Sequence, residues 1–312
     1  MSNLRIGTSG WNYPAGRGTW NGIFYPPSSK GRRRQGGAKT KFDELAYYAE
    51  HFNTVEVNTT FYGQPRAAVA QTWADRTPSG FEFSLKLYRR LTHGDMPGVP
   101  ALDEECIDEY RRGIEPLAAA SKIGALLAQF PPSFKQTPES QGYIDALLDR
   151  FRDYPMAVEL RHRSWSDDFS STLSLLNSHD AALTQIDEPK FTVSIRQNHL
   201  PNISGFYYMR LHGRNAEQWW KHDTSEDRYN YLYSAEELKP VSETADAARR
   251  LVKKFYLYFN NHFASKAVVN AVMIKSQLGE PVPGVYPNEF VERYPETGSI
   301  VSTAPALQFA VE

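Results

Sequence analysis

Glu56, Asn58, Lys86, Gln129, Glu159, Arg161, Asp187, Arg210, His212 and Asn260 share one placement in this sequence. Each falls near the carboxyl-terminal end of a segment that alternates apolar and polar residues, and each lies on the polar side of that alternation. Their types define a workable chemistry. Glu56 and Glu159 form a candidate general acid/base pair, provided their surroundings split their proton affinities. Lys86 is a candidate Schiff-base nucleophile when desolvated, or else a plain charge partner. Arg161 and Arg210 suit bidentate recognition of a carboxylate or phosphate. His212, with His93 and His262 on following loops, suits proton transfer or metal ligation. Trp11, Tyr13, Tyr62 and Trp165 offer faces on which a sugar or base stacks. Glu56, Lys86, Glu159 and His212 are therefore the catalytic candidates, and the others are candidate substrate contacts.

A structural reading competes with each of these. Glu56–Lys86 and Glu159–Arg161 also suit ion pairs inside a barrel. A divalent metal is chemically possible, but no helix carries a ligand spacing such as His-Glu-x-x-His, so the cofactor stays unassigned. Cys106 sits within a helical pattern and reads as core. Ser9 lacks the nucleophile-elbow context of a Ser/His/Asp hydrolase. Trp219 and Trp220 fit either a lid or a surface anchor.

The elements that must position these residues follow from periodicity. Strands are predicted at 5–9, 51–62, 81–87, 125–130, 156–161, 181–187, 205–212 and 255–259. In the second, Thr54, Glu56 and Asn58 oppose Val55 and Val57. Helices are predicted at 43–51, 65–76, 102–121, 139–152, 165–179, 234–253 and 265–278, with a capping box at Ser234-Ala-Glu-Glu237 and Pro65 in a first turn. Residues 188–204 show no helical period. Alternating strands and helices are the α/β signature. A doubly wound sheet is the competitor, but Gly7-Thr-Ser-Gly10 does not match its glycine-rich fingerprint. The expected fold is a TIM-type (β/α)8 barrel with an irregular sixth crossover and long loops after strands 1 and 7. It forms one domain over 1–312, with its core at about 4–278, a tail at 279–312 and a basic insertion at 26–41. Outer faces of such strands pack on helices and are apolar, so the polar parity turns inward. The residues named above then surround one cavity at the barrel mouth.

Bulk composition narrows the partners. The chain has 312 residues, and Lys+Arg number 35 against 36 Asp+Glu, a formal net charge of −1. That balance gives no global attraction to nucleic acid or anionic membrane. Any such attraction is local, and Arg32, Arg33 and Arg34, flanked by Lys30, Lys39 and Lys41 among glycines, are the place for it. This segment reads as a solvated insertion or as a phosphate-contacting arm. Cys106 is the only cysteine, which excludes an intrachain disulfide and fits a reducing compartment. The first residues, Met-Ser-Asn-Leu-Arg-Ile, form no apolar signal region, and no run reaches transmembrane length, so a cytoplasmic protein is expected. Two functional classes emerge. One is an enzyme (a hydrolase, or a lyase or isomerase) acting on a small anionic or sugar-like substrate. The other is a nucleic-acid-associated protein or metal-dependent phosphodiesterase that uses the basic arm.

Several stretches carry a resemblance. Ile6-Gly-Thr-Ser-Gly-Trp11, the strand ending Thr60-Phe-Tyr62, the strand at 81–87 with Leu91-Thr-His93, and Gln129-Phe-Pro-Pro132 come first. Val158-Glu-Leu-Arg161 with Trp165, Tyr208-Met-Arg-Leu-His-Gly213, and Tyr258-Phe-Asn-Asn261 follow. Together and in this order they resemble the domain of unknown function 72 (YecE-like) family, from residue 4 to about residue 278. The resemblance implies a TIM-barrel fold and marks candidate positions, but implies no reaction. The chain departs from the family pattern around 31–41, at 215–233 and after Gly279.

Overall fold

The structure, a computed structural model, describes residues 2–27, 42–94, 98–219 and 227–304. The basic segment with Arg32, Arg33 and Arg34, and likewise Trp220, lie outside the described residues.

Strand β1 (Leu4–Thr8) leads through a long connection to helix α1 (Glu44–His51), whose first turn is capped by the Asp43 carboxylate accepting from the Ala46 amide. Strand β2 (Thr54–Val57) is followed by the single turn α2 (Thr59–Tyr62) and by α3 (Ala67–Asp75). Then come β3 (Glu82–Lys86), α4 (Glu104–Ala119), β4 (Ile123–Gln129), α5 (Pro138–Arg150) and β5 (Met156–Glu159). Helices α6 (Ser164–Asp167) and α7 (Phe169–Asn177) precede the short strands β6 (Ala182–Leu183) and β7 (Gln185–Asp187). Strand β8 (Phe206–Leu211), α8 (Ala235–Ala248), β9 (Lys254–Phe259) and α9 (Lys266–Gln277) complete the alternation.

All pairings among β1 to β9 are parallel, and hydrogen bonding divides them into two sheets, β2-β3-β4-β5-β6 and β1-β9-β8-β7. The expected unbroken ring is therefore interrupted at two seams. At one, β1 and β2 share a single bridge between Ser9 and Glu56. The strands nevertheless run close together: a Cβ on Gly7 would lie 2.4 Å from the Thr54 carbonyl oxygen, so only glycine fits. At the other, the predicted strand 181–187 changes partner at Thr184, so that β6 pairs with β5 and β7 with β8.

The period-two sorting divides the interior into two apolar clusters. Ile6, Val55, Phe83, Leu85, Leu126, Val158, Met209 and Leu257 pack among the helices. The intervening positions, including Ala125, Leu127, Ala157, Tyr208, Tyr256 and Tyr258, form a separate smaller cluster. Its tyrosines are amphipathic fillers whose hydroxyls find partners: Tyr208 bonds Glu56, Tyr256 bonds Glu82, and Tyr258 bonds Thr54 and Ser84.

Three expectations need correction. The strand predicted over 51–62 ends at Val57, because Asn58 is in the helical region (φ −94°, ψ −15°) and opens α2. Thr60 fixes that turn by donating to the Val57 and Lys86 carbonyls. The helix predicted over 165–179 is two helices, split at Asp168, whose carboxylate caps α7 through the Ser171 amide. The tail beyond Gly279, predicted without elements of its own, carries secondary structure. It forms the parallel pair β10 (Val285–Tyr286) and β11 (Ser302–Thr303) and helix α10 (Asn288–Arg293), and buries Tyr286 and Phe290 against Phe24. The sixth crossover, 188–205, holds turns and no helix, as its lack of period predicts.

Candidate functional site

The alternation of β8 sends Tyr208, Arg210 and His212 to the side opposite Tyr207, Met209 and Leu211. Arg210, 1% exposed, is the centre of the resulting network. Its Nη2 and Nε donate to the two Glu56 oxygens at 2.7 and 2.9 Å, and its Nη1 donates to Glu159 Oε2 at 2.5 Å. Glu56 also accepts from Ser9 Oγ at 2.7 Å and from the Tyr208 hydroxyl at 2.8 Å. Glu159 accepts from Arg161 Nε at 2.8 Å, and Arg161 reaches on to Glu188 at 3.3 Å. His212 sits at the edge of this network, with Nδ1 3.0 Å from the Asn260 amide nitrogen and Nε2 3.8 Å from Glu159.

Electrostatics then assign charge states. Burial alone would raise the Glu159 carboxyl, but Arg210 and Arg161 hold it well below the usual carboxylate range. Burial, aided by the Arg210 charge, lowers His212 and favours the neutral ring. Glu56 and Glu159 are both fully buried, and each accepts from Arg210. Glu159, held ionised by its two arginines, is set up as a charge partner and hydrogen-bond acceptor. The expected Glu56–Lys86 ion pair is absent: Arg210 takes both Glu56 oxygens.

Above this floor, at the carboxyl ends of the strands, lies a cavity of about 570 Å³. Its lining includes Trp11, Tyr13, Asn58, Tyr62, Lys86, His93, Gln129, Arg161, Arg210, Asn260 and His262, all singled out by sequence. Sequence reasoning missed Phe61, Trp73, Arg228 and Tyr229, which also line it. Phe61 was hidden by the strand predicted through residue 62. Trp73 enters from α3, and Arg228 and Tyr229 belong to the aperiodic stretch after β8. Lys86, Arg161, Arg210 and Arg228 are on the described wall, and no Asp or Glu is. The aromatic rim includes Tyr13 stacked on His262 at 4.4 Å, Trp11 edge-on to Trp73 at 5.5 Å, and Tyr62, 76% exposed.

Lys86 is the singular group of the wall. Its backbone is pinned by Thr60 and Tyr110, whose hydroxyls both donate to its carbonyl. Its Nζ lies 3.7 Å from the centre of the Phe61 ring, and among the described residues it has no hydrogen-bond or ion-pair partner. Burial and the nearby Arg210 charge lower its pKa to about 7, against the opposing pull of Glu159. Burial and the Lys86 charge lower His93 to about 4, and burial lowers His262 to about 4. Both histidines are neutral near pH 7. Asn58 Oδ1, His262 Nδ1 and Arg228 Nε are buried without a hydrogen-bond partner among the described residues. Such groups cost free energy when left unpaired, and all three belong to residues of the cavity wall.

Two predicted contacts lie elsewhere. Trp165 is fully buried in the apolar core, stacked on Phe134 and donating its indole N–H to the Phe134 carbonyl. Asp187 is taken by Arg214, at 2.9 and 2.7 Å, and by the Tyr233 hydroxyl. Trp219 is buried 6.4 Å from the His212 ring, so it is no surface anchor. Cys106 is buried and in contact with Gln64. Among the described residues, no three His, Cys, Asp or Glu side chains form a metal-holding group, and no helix is long and apolar enough to cross a membrane.

Comparison with known proteins agrees with the motif order. The family described as "Protein of unknown function DUF72" matches residues 5–293. The UPF0759 protein YunF of Bacillus subtilis is 27% identical over 299 residues, covering 92% of this chain and 98% of that protein. The UPF0759 protein YecE of Escherichia coli is 31% identical over 120 residues, 38% of this chain and 41% of its own length. A crystal structure of a family member from Thermotoga maritima shares 32% identity with a TM-score of 0.73, covering 89% of this chain and 99% of that one. Another, from Enterococcus faecalis, shares 26% identity with a TM-score of 0.75, covering 89% and 96%.

Proposed function

This chain belongs to the DUF72 family, and on that premise we propose that it is a (β/α)8-barrel protein whose mouth binds a small anionic, sugar-like ligand. The barrel reading is supported by strand order: the Ser9–Glu56 bridge and the partner change at Thr184 each lie where the two sheets meet. The observation that carries the ligand reading is the cavity wall, with four cationic side chains and no carboxylate among the described residues. Unpaired Lys86 is a ready charge for an anion, and Arg228, whose Nε has no hydrogen-bond partner among the described residues, adds a guanidinium donor, whereas Arg161 and Arg210 already hold Glu159, Glu188 and Glu56. Asn58, Gln129 and Asn260 add the neutral polar groups that hydroxyls require, and the aromatic rim suits the apolar faces of a sugar ring. A volume of about 570 Å³ is that of a small-molecule site.

Enzymatic activity of a lyase or isomerase kind fits better than hydrolysis. The wall offers an amine of lowered basicity and neutral histidines, while the carboxylates that would activate water are engaged by Arg210. Calorimetric titration with D-gluconate, inorganic phosphate and neutral D-glucitol tests the ligand reading. Gluconate should bind at least about tenfold more tightly than glucitol, the worth of one charge-assisted contact. Equal affinities, or tighter binding of glucitol, would remove the anion from the account. A polynucleotide partner through Arg32, Arg33 and Arg34 remains the alternative, and steeply salt-dependent binding of DNA or RNA would favour it.

A further inference from the structure

We propose that Lys86 Nζ is a nucleophile that condenses with the aldehyde or ketone carbon of a small anionic substrate, a 2-oxo acid or an oxo-sugar acid, to form an imine. This rests on the anion reading of the same cavity and names the substrate class. The geometry supplies what an amine nucleophile needs. Lys86 stands at the end of β3 with its backbone carbonyl fixed by two hydroxyls, so its side chain starts from a rigid base. The amine faces the cavity, with no carboxylate or carbonyl bound to it among the described residues, and rests on the Phe61 ring. An ion-paired lysine would be held protonated, whereas an unpaired, desolvated one releases its proton and exposes a lone pair. Arg210 and Arg161, on the same wall, favour the uncharged amine, and Glu159 and Glu56 oppose that effect from behind Arg210; Arg228, with its Nε unpartnered among the described residues, is the wall guanidinium open to an anion. A carboxylate adjoining a carbonyl lets one short molecule meet both an arginine and the amine.

The step balances without an added co-reactant. The amine lone pair attacks the carbonyl carbon, the C–O π pair takes up a proton released from nitrogen, and a carbinolamine results. Loss of one water then leaves the C=N bond.

Lys275 is an internal control. It too is buried above an aromatic ring (Phe52, 4.6 Å) with lowered basicity, but its Nζ donates to the His51 carbonyl and does not line this cavity. The whole protein is incubated with glyoxylate and reduced with sodium cyanoborohydride, and each lysine is scored for N-carboxymethylation by peptide mass spectrometry. Lys86 should be labelled at least about tenfold more than Lys275 or any exposed lysine, and excess D-gluconate should suppress that label. Lys86→Arg should lose the label, and the gluconate competition in the unaltered chain makes the same point should that variant not fold. Labelling of Lys86 no greater than that of exposed lysines overturns the imine. If gluconate still binds in that case, only the imine has failed and the anion site stands. If Lys86 is labelled while gluconate neither binds nor competes, the nucleophile is upheld and the anion reading is what fails.

Discussion

Arg210 and Glu56 are joined by two hydrogen bonds, 2.7 and 2.9 Å, between residues 154 positions apart, in a place reached by almost no solvent. That pair closes the floor of the cavity and bridges β8 to β2 next to the Ser9–Glu56 seam. A buried ion pair gives little net stability against an apolar replacement of both partners, but removing one partner strands the other. Arg210→Met should therefore destabilise the chain by about 3–5 kcal/mol, because both Glu56 and Glu159 lose their cation. Urea denaturation measures it; a loss below about 1 kcal/mol would show that the network is not buried as described.

Glu159 makes stability depend on acid. Its folded-state pKa is held well below the ordinary carboxylate value, so the unfolded chain takes up its proton first as pH falls. The stabilisation is complete above the unfolded value and declines as pH falls below it toward the folded value. Melting curves between about pH 6 and pH 3 should fall more steeply for the unaltered chain than for Glu159→Gln. Parallel curves would contradict the assignment.

Lys86 acts in the opposite pH range. Its folded-state pKa, about 7, is below its ordinary value of 10.5, so the charged amine opposes folding most below pH 7 and progressively less as pH rises toward 10.5. Lys86→Met should be at least as stable as the unaltered chain at about pH 6, with its advantage shrinking by pH 9. Denaturation at the two pH values decides this, and a large loss of stability at both would mean that the amine has a bound partner.

The two aromatic residues that sequence grouped together should separate by experiment. Trp165→Ala should cost about 3–5 kcal/mol, as for a fully buried large side chain. Tyr62→Ala, at the exposed rim, should change stability by less than about 0.5 kcal/mol while weakening gluconate binding. A Tyr62 variant with unchanged affinity would remove the rim from the site.

What was legible in the sequence was whatever depends on local period. The period of strand 205–212 puts Arg210 and His212 on its polar side, and the structure finds them there together with Tyr208, because side chains of a regular strand alternate. The capping box at Ser234 was equally readable, since its two bonds lie within four residues. What was hidden depends on long-range choice. Alternation brought both glutamates and both arginines inward but could not say that Glu56 would bind Arg210 and leave Lys86 alone. A tryptophan a few residues past a strand looks the same whether it meets a cavity, as Trp11 does, or stacks in the core from a helix, as Trp165 does. Phe61 was concealed by a single helical turn that β-branched neighbours disguised as strand.

The most direct test of an unpaired Lys86 charge in an anion site is the pH dependence of D-gluconate affinity. Gluconate has no carbonyl to condense with the amine, and its charge is constant from about pH 6 to pH 9. Over that range Lys86 is the wall group expected to change charge, because His93 and His262 are already neutral and Arg161 and Arg210 stay cationic. Affinity should be highest near pH 6 and fall by about tenfold toward pH 9, while Lys86→Gln shows a weak and nearly flat profile. Superimposable profiles for the two proteins would contradict the account.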